Sequence, residues 1–405
     1  MPSFAAFLGH QPHISIAELS ASVPDFKLQT ILNNEVILFE STKSLDEAYL
    51  NTLGGTVVIA RKLSEDDLTL EDVPKLLSNE VENIKGKVTF SIRAYHVSPK
   101  IVKNLYRDLK QHLKKEGHPS RYVGTDHVPA PSIVLHTEGI IDGTGGAEIV
   151  IIRNNEDLWI GKTVAAQNVT DYTKRDMNKP VRDTTVGLLP PKLAQVLLNL
   201  GAWLVHEHDM KKMEQPLTVL DPFCGTGVIP MECLLRAWPV YASDVSLKAV
   251  NGTEKNLEWL RKEKKILKKD VQSTVWKHDA QKPFELKDKP DMIVTETSLG
   301  PNLEGRPPIK DVLKLKTENE HLQMGFLKTA ASSLPGVPIA CMWPVWYHSK
   351  GAVHLEKTWE KLKEIGYEAV LPPGTQGEAP NRPTLVYRRP GQFVGREIVL
   401  LRPLK

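Results

Sequence analysis

The stretch Val219–Ala237, "VLDPFCGTGVIPMECLLRA", decides how the rest of the chain is read. A short apolar strand, an acid, a Gly-x-Gly turn and a helical run follow one another directly. Glycines there let the backbone pass close to a bound ligand, and the turn delivers that ligand to a helix N-terminus. No Gly-Lys-Ser/Thr follows, which excludes a P-loop. A dinucleotide fold wants a third glycine where Pro230 stands, and pyrophosphate does not favour the carboxylate of Asp221 at the strand end. The cationic amino group and sulfonium of S-adenosylmethionine (SAM) suit that carboxylate.

Working outward, Asp244 closes the next strand in "YASDVSLKAV". A carboxylate there can accept both ribose hydroxyls, which supports a nucleoside without choosing between cofactors. Asp279, in "WKHDAQ", is placed to take an adenine amino group, and Glu296 closes a fourth strand in "VTETSLGPN" (294–302). A single acid at a strand end is often only a turn or helix cap. Four at successive strand ends point together to SAM.

Around these motifs strands and helices alternate. Strands are expected at "LTVLD", "PVYASD", "STVWKHD", "DMIVTE", "VPIACMW", "YEAVL", "TLVYRR" and "GREIVLLR", with helices near 228–237, 247–266, 319–333 and 354–365. The pattern is α/β, a doubly wound sheet whose ligands bind at the carboxyl ends of central strands. Its strand-rich end predicts an antiparallel hairpin at one edge. The earlier residues read as two small α+β units, with "SIVLHTEG" (132–139) expected as a strand. Expected boundaries are 1–75 and 76–165 for these units, 166–190 for a linker and 191–405 for the α/β domain.

A chain of 405 residues with 41% hydrophobic content calls for two or three domains. No apolar run reaches membrane-spanning length, and the first residues lack a secretory signal's pattern. Three cysteines without metal-ligand spacing argue against a disulfide framework or a cysteine zinc site and for a reducing, cytoplasmic setting. No metal is expected. The net charge of +3 is a weak signal, but residues 1–50 hold Lys27 and Lys43 against six acids, while 251–300 hold eleven Lys/Arg against nine. Helical spacing after Ser98-Pro99 puts Val102, Leu105, Leu109 and Leu113 on one face and Lys103, Arg107, Lys110 and Lys114 on another. Such a stripe suits a phosphate backbone, and it equally describes a solvated helix face.

"DPFCGTG", "SDVSLKAVNGTEKNLEWL" and the upstream "RDMNKPVRDTTVGLLPPKLAQVLLNLGA" together resemble the THUMP-domain tRNA guanosine N2-methyltransferases of the archaeal and eukaryotic type acting at position 10 of tRNA. The likeness is strongest over 172–300 and looser before 160. It implies a Rossmann-like class I SAM-dependent methyltransferase domain preceded by ferredoxin-like and THUMP domains. It assigns Asp221, Gly225 and Gly227 to the methionine end of SAM, Asp244 to the ribose and Asp279 with Ala280 to the adenine, with Pro222, Cys224 and Val245 as further cofactor contacts. Pro191, in "LLPPK", would help cover the methionine end. THUMP domains of the family grip tRNA, which gives Lys103, Arg107, Lys110, Lys114 and Arg121 a purpose as RNA contacts. Eukaryotic relatives use a small activating protein subunit, and otherwise a monomer is expected.

Many enzymes that methylate an amino group on a base carry D/N-P-P-Y/F where this chain has Glu296, Thr297, Ser298 and Leu299. The acid and neighbouring carbonyls accept the amine's hydrogens and aim its lone pair, while the aromatic stacks on the base. Here the acid is longer by a methylene, the prolines' fixed φ is gone and Leu299 offers no π face. Trp343, Trp346 and Tyr347 could supply an aromatic, or simply fill the core. Three readings remain: an active tRNA methyltransferase with an altered base pocket, a catalytically impaired SAM- and tRNA-binding protein, and an N6-adenine methyltransferase on RNA or DNA.

Overall fold

A computed structural model describes residues 1–404 apart from 156, 184–186, 213–214, 302–304 and 350. The chain forms two compact units, residues 1–12 with 23–172, and residues 13–22 with 173–405.

The first unit is built on an eight-stranded sheet. Its strands are β1 (Ser3–Leu8), β2 (Lys27–Leu32), β3 (Val36–Glu40), β4 (Thr56–Lys62), β5 (Val88–Tyr95), β6 (Ser120–Tyr122), β7 (Gly146–Asn154) and β8 (Asp157–Ala166), in the order β2-β3-β1-β4-β8-β7-β5-β6. Of the first six helices, α1 (Pro12–Ser22) belongs from residue 13 onward to the second unit. The others are α2 (Glu47–Leu50), α3 (Val73–Val81), α4 (Pro99–Lys115), α5 (Ser132–Thr137) and α6 (Val169–Met177), the last running across the boundary between units. Strands before and after residue 75 share this one sheet, since β4 pairs antiparallel with β8. Val102, Leu105, Leu109 and Leu113 of α4 pack with Val73, Leu77 and Val81 of α3 onto β5 and β7, as their spacing predicts. "SIVLHTEG" is helical rather than a strand (α5). Pro129 and Pro131 precede it and cannot donate to a ladder, and β6 takes the sheet edge beside β5 instead.

The second unit carries a nine-stranded sheet. Its elements are α7 (Pro191–His208), β9 (Val219–Asp221), α8 (Val228–Leu235), β10 (Val240–Asp244), α9 (Leu247–Lys264), β11 (Ser273–Lys277), β12 (Met292–Glu296), α10 (Ile309–Ser333), β13 (Ile339–His348), β14 (Gly351–Val353), α11 (Glu356–Ile365), β15 (Tyr367–Ala369), β16 (Leu385–Tyr387) and β17 (Val394–Pro403). The strand order is β11-β10-β9-β12-β13-β17-β15, parallel from β11 to β13 and antiparallel at β17. This is a doubly wound, Rossmann-like sheet. The last strand is antiparallel, but β17 lies between β13 and β15 rather than at an edge. Its residues Ile398 to Leu401 are wholly buried, and such a run is stable only with both faces covered.

Alternation along the strands divides the apolar side chains between two cores. Val219, Val294, Ala340 and Leu400 face α7, α8 and α9, while Leu220, Ile293, Cys341 and Leu401 face α10 and α11. The expected helices are all present, with α10 beginning ten residues earlier than its apolar spacing suggests. A further helix, α7, is apolar on nearly every side because it lies buried against the sheet. Gly201 sets how close it comes: a Cβ there would meet Val294 Cγ2 at 2.9 Å and Met292 Sδ at 3.0 Å. Trp343 and Trp346 are fully buried in the second core, so they fill it and supply no base platform. Among the described residues no helix is long and apolar enough to cross a membrane.

Candidate active site

The order of the strands brings the acids together. Across β11-β10-β9-β12, Asp279 (two residues past its strand), Asp244, Asp221 and Glu296 form a row at the carboxyl ends, beside the point where the sheet changes direction. All four line one cavity of about 560 Å³ in the second unit. Pro222, Cys224, Gly225, Val245, Ala280, Thr297, Ser298 and Leu299 line it as well. Gly227 and Pro191 do not. Gly227 caps α8 at φ 83°, where a Cβ would meet Thr253 Cγ2 at 2.8 Å, so this glycine permits the turn and its packing on α9. Pro191 is buried at the start of α7, and the neighbouring Leu188 and Leu189 reach the cavity instead.

Three of the acids are held by their own turns. Asp221 Oδ1 accepts from the Phe223 amide (3.3 Å) and from Thr295 Oγ1 (2.6 Å). Asp244 accepts from the amides of Ser246 (2.8 Å) and Gly225 (3.1 Å), which joins the second strand's acid to the glycine turn. Asp279 accepts from the Gln281 amide at 3.0 Å. Asp221 is 1% exposed, and no cation pairs with it among the described residues. Burial pushes its carboxyl up to about 7, against the Thr295 and Phe223 hydrogen bonds and with help from the charges of Asp244 and Glu296. The Cys224 thiol, also buried, is pushed up as well and stays neutral.

The loop after β12 is held differently. Glu296 Oε1 accepts from Arg396 Nε on β17 at 2.5 Å, and the guanidinium's Nη2 donates to the Leu188 carbonyl at 3.1 Å. Burial raises the Glu296 carboxyl, and Arg396 opposes this by charge and hydrogen bond. The Thr297 amide donates to the Met342 carbonyl at 3.2 Å, its hydroxyl donates to the same oxygen at 2.7 Å, and Gln323 Nε2 donates to that hydroxyl at 2.6 Å. The stiffness that prolines would give by fixing φ comes here from a side-chain lock. Leu299 is half-buried at the cavity and Ser298 is exposed.

The upstream segment also reaches the site. Asn256, fully buried, accepts from the Val181 amide and donates to the carbonyls of Val181 and Thr226, tying residue 181 to the glycine turn. Asp183 pairs with Lys248 at 2.8 Å, and Val181, Arg182 and Asp183 line the cavity. Residues 181–183, expected in a linker, are thus part of the cavity wall. Arg396, Gln323 and Asn256 are functional candidates that the sequence reading missed. Arg396 had a signal, being a charge inside an apolar strand; Gln323 had none beyond its place in a helix.

In the first unit, Lys103, Arg107, Lys110 and Lys114 lie exposed on α4 without an ion-pair partner among the described residues, while exposed Arg121, on β6, pairs with Glu138 at 3.1 Å.

The sheet is of the Rossmann-like, class I methyltransferase type. No protein-family model matches the chain. It is 24% identical over 127 residues to the tRNA (guanine(10)-N2)-dimethyltransferase of Pyrococcus abyssi, covering 31% of this chain and 35% of that protein. It is 27% identical over 157 residues to the protein of the same name from Methanothermobacter thermautotrophicus, covering 38% of each. The matched part thus spans little more than a third of these curated relatives. Among solved structures, TrmN from Thermus thermophilus aligns over the whole of both chains with a TM-score of 0.50 and 17% identity, a likeness of fold.

Proposed function

We propose that the chain is a SAM-dependent methyltransferase that acts on the exocyclic N2 of a guanosine in tRNA. The observation that carries this reading is the cavity itself: a buried carboxylate without a cation at Asp221, and an acceptor carboxylate at Glu296 in the same space. The curated relatives' names support the choice of amine and RNA.

The row of acids fits the cofactor. Asp221 would neutralise the amino group, and Asp244, whose oxygens keep lone pairs beyond their two backbone bonds, would take the ribose hydroxyls. Asp279 retains an oxygen for the adenine amine. Bound SAM supplies an electrophilic methyl group on a sulfonium. The chain's own work is to orient the amine: Glu296 Oε2 and the main-chain carbonyls of the loop accept its hydrogens, and Leu299 gives the base an apolar wall. Exposed cations on α4 would take phosphate.

Transfer of labelled methyl from SAM to unmodified tRNA, with Glu296→Ala alongside, tests the reading. Label in RNA that disappears in the variant supports it, and nuclease mapping names the base. A chain that binds SAM but labels no tRNA overturns it.

A further inference from the structure

Arg396 does not line the cavity, yet it touches two segments that do. It is 5% exposed on β17, donates Nε to Glu296 at 2.5 Å and Nη2 to the Leu188 carbonyl at 3.1 Å, and lies 5.9 Å from the Tyr387 ring centroid. One guanidinium therefore joins the acceptor loop to the segment before α7. We propose, on the strength of the methyltransferase reading above, that Arg396 is a positioning residue: it occupies one oxygen of Glu296 and leaves the other as a single, aimed acceptor for the amine. The site needs an ionised acceptor, because an amine whose lone pair is delocalised is activated by accepting its hydrogens. It does not need a base that titrates near neutrality, and a guanidinium stays charged throughout.

Among the described residues, the charged groups facing Glu296 are Arg396 from β17 and Asp221 from β9. Without Arg396, burial and Asp221 both favour the protonated acid, and no other cation among the described residues is paired with Glu296. The expected result for Arg396→Met is loss of methyl transfer on the order of a hundredfold at pH 7. That loss shrinks as pH rises and Glu296 ionises, with SAM affinity within a few-fold of the parent's. Arg396→Lys restores most of the rate, because it keeps the charge beside Glu296.

A second readout needs no activity. Glu296 in Arg396→Met carries a folded-state pKa above its unfolded one, so the stability it contributes is present at low pH and is lost as pH rises through the folded value. The thermal midpoint of cofactor-free Arg396→Met should therefore fall relative to the parent with rising pH, and adding Glu296→Gln should remove that slope. Parallel pH–rate profiles for parent and Arg396→Met, or a midpoint lowered equally at every pH, would overturn the inference. A parent chain that binds SAM and methylates no tRNA overturns the functional reading instead, and the midpoint series still judges Arg396.

Discussion

The two ends of the cavity are built by opposite means. At the cofactor end each aspartate is held by an amide two residues further on, at Phe223, Ser246 and Gln281, so the turn that places the carboxylate also orients it. At the acceptor end the loop from Glu296 to Leu299 is held by Gln323, Met342 and Arg396, residues 26, 45 and 100 positions away from their partners. The first arrangement survives wherever the local motif does. The second exists only once α10, β13 and β17 are packed around it, and it can replace rigid residues with a lock made elsewhere.

The largest effect should come from the cofactor end. Asp221→Asn removes the buried carboxylate while keeping an acceptor for Thr295. SAM binding should weaken on the order of a thousandfold, as for removal of one partner of a buried charge pair. Stability should move the other way. With a folded pKa raised to about 7, Asp221 costs the cofactor-free protein stability increasingly as pH rises from its unfolded value through 7. The variant should therefore be more stable above pH 7, by up to roughly 4 kcal/mol. Calorimetric titration with SAM and thermal midpoints at pH 5 and 8 check both signs. Unchanged SAM affinity would break the comparison, because the cofactor end would then not depend on its acid.

The acceptor end should respond in rate and not in cofactor affinity. Gln323→Leu removes the donor to Thr297 while keeping the volume of α10's buried face. A loop loosened by about an ångström is expected to lose roughly ten- to a hundredfold in methyl transfer. SAM affinity should stay within a few-fold. Thr297→Pro sharpens the point, since it installs a proline of the D/N-P-P-Y/F pattern but deletes the amide's hydrogen bond to Met342 and the hydroxyl. It should destabilise the protein by about 1–3 kcal/mol rather than improve it. A gain in either rate or stability would mean that the side-chain lock is not what holds the loop.

This difference in construction also explains what could be read from the chain beforehand. The glycine turn and the acids at Asp221, Asp244 and Asp279 are visible because sequence neighbours make them, and the alternation of strands and helices places them at one end of one sheet. Arg396 and Gln323 are invisible in that sense: their meaning depends on a strand inserted between β13 and β15 and on a helix longer than its apolar spacing. The misread "SIVLHTEG" has the same cause, because β-branched and apolar residues suit either structure and only the prolines before it and the neighbouring β6 decide. The tryptophans at 343 and 346 were ambiguous until both faces of β13 were known to be covered.

A smaller effect, again at the cofactor end, follows from the charge state of Asp221. The cationic amino group of SAM binds the carboxylate and not the acid, so binding must release a proton wherever Asp221 is protonated. The SAM dissociation constant should be lowest just above pH 7 and rise about tenfold per pH unit well below it. Asp221→Asn should abolish that dependence. A dependence that persists in the variant would assign the proton to a different group.

The smallest expected effect lies outside the cavity, on α4, where neither kind of constraint operates. Lys103, Arg107, Lys110 and Lys114 are exposed and no packing depends on their charges. Alanine keeps the helix, being the best helix former, so replacement tests charge with little cost in folding. Each residue that contacts a phosphate should contribute about 0.7–0.9 to the slope of log affinity against log salt, and each alanine should weaken tRNA binding only a few-fold at moderate ionic strength. The fourfold variant should therefore flatten the salt dependence by about three while leaving SAM affinity unchanged. If tRNA affinity and its salt slope both stay at the parent's values, the stripe is a solvated face and the RNA is held elsewhere. If SAM affinity falls as well, the separation between RNA contact and cofactor site is wrong. A flattened slope with intact cofactor binding would show a third mode of construction in this chain, in which neither a local turn nor a distant lock is needed because the ligand itself supplies the order.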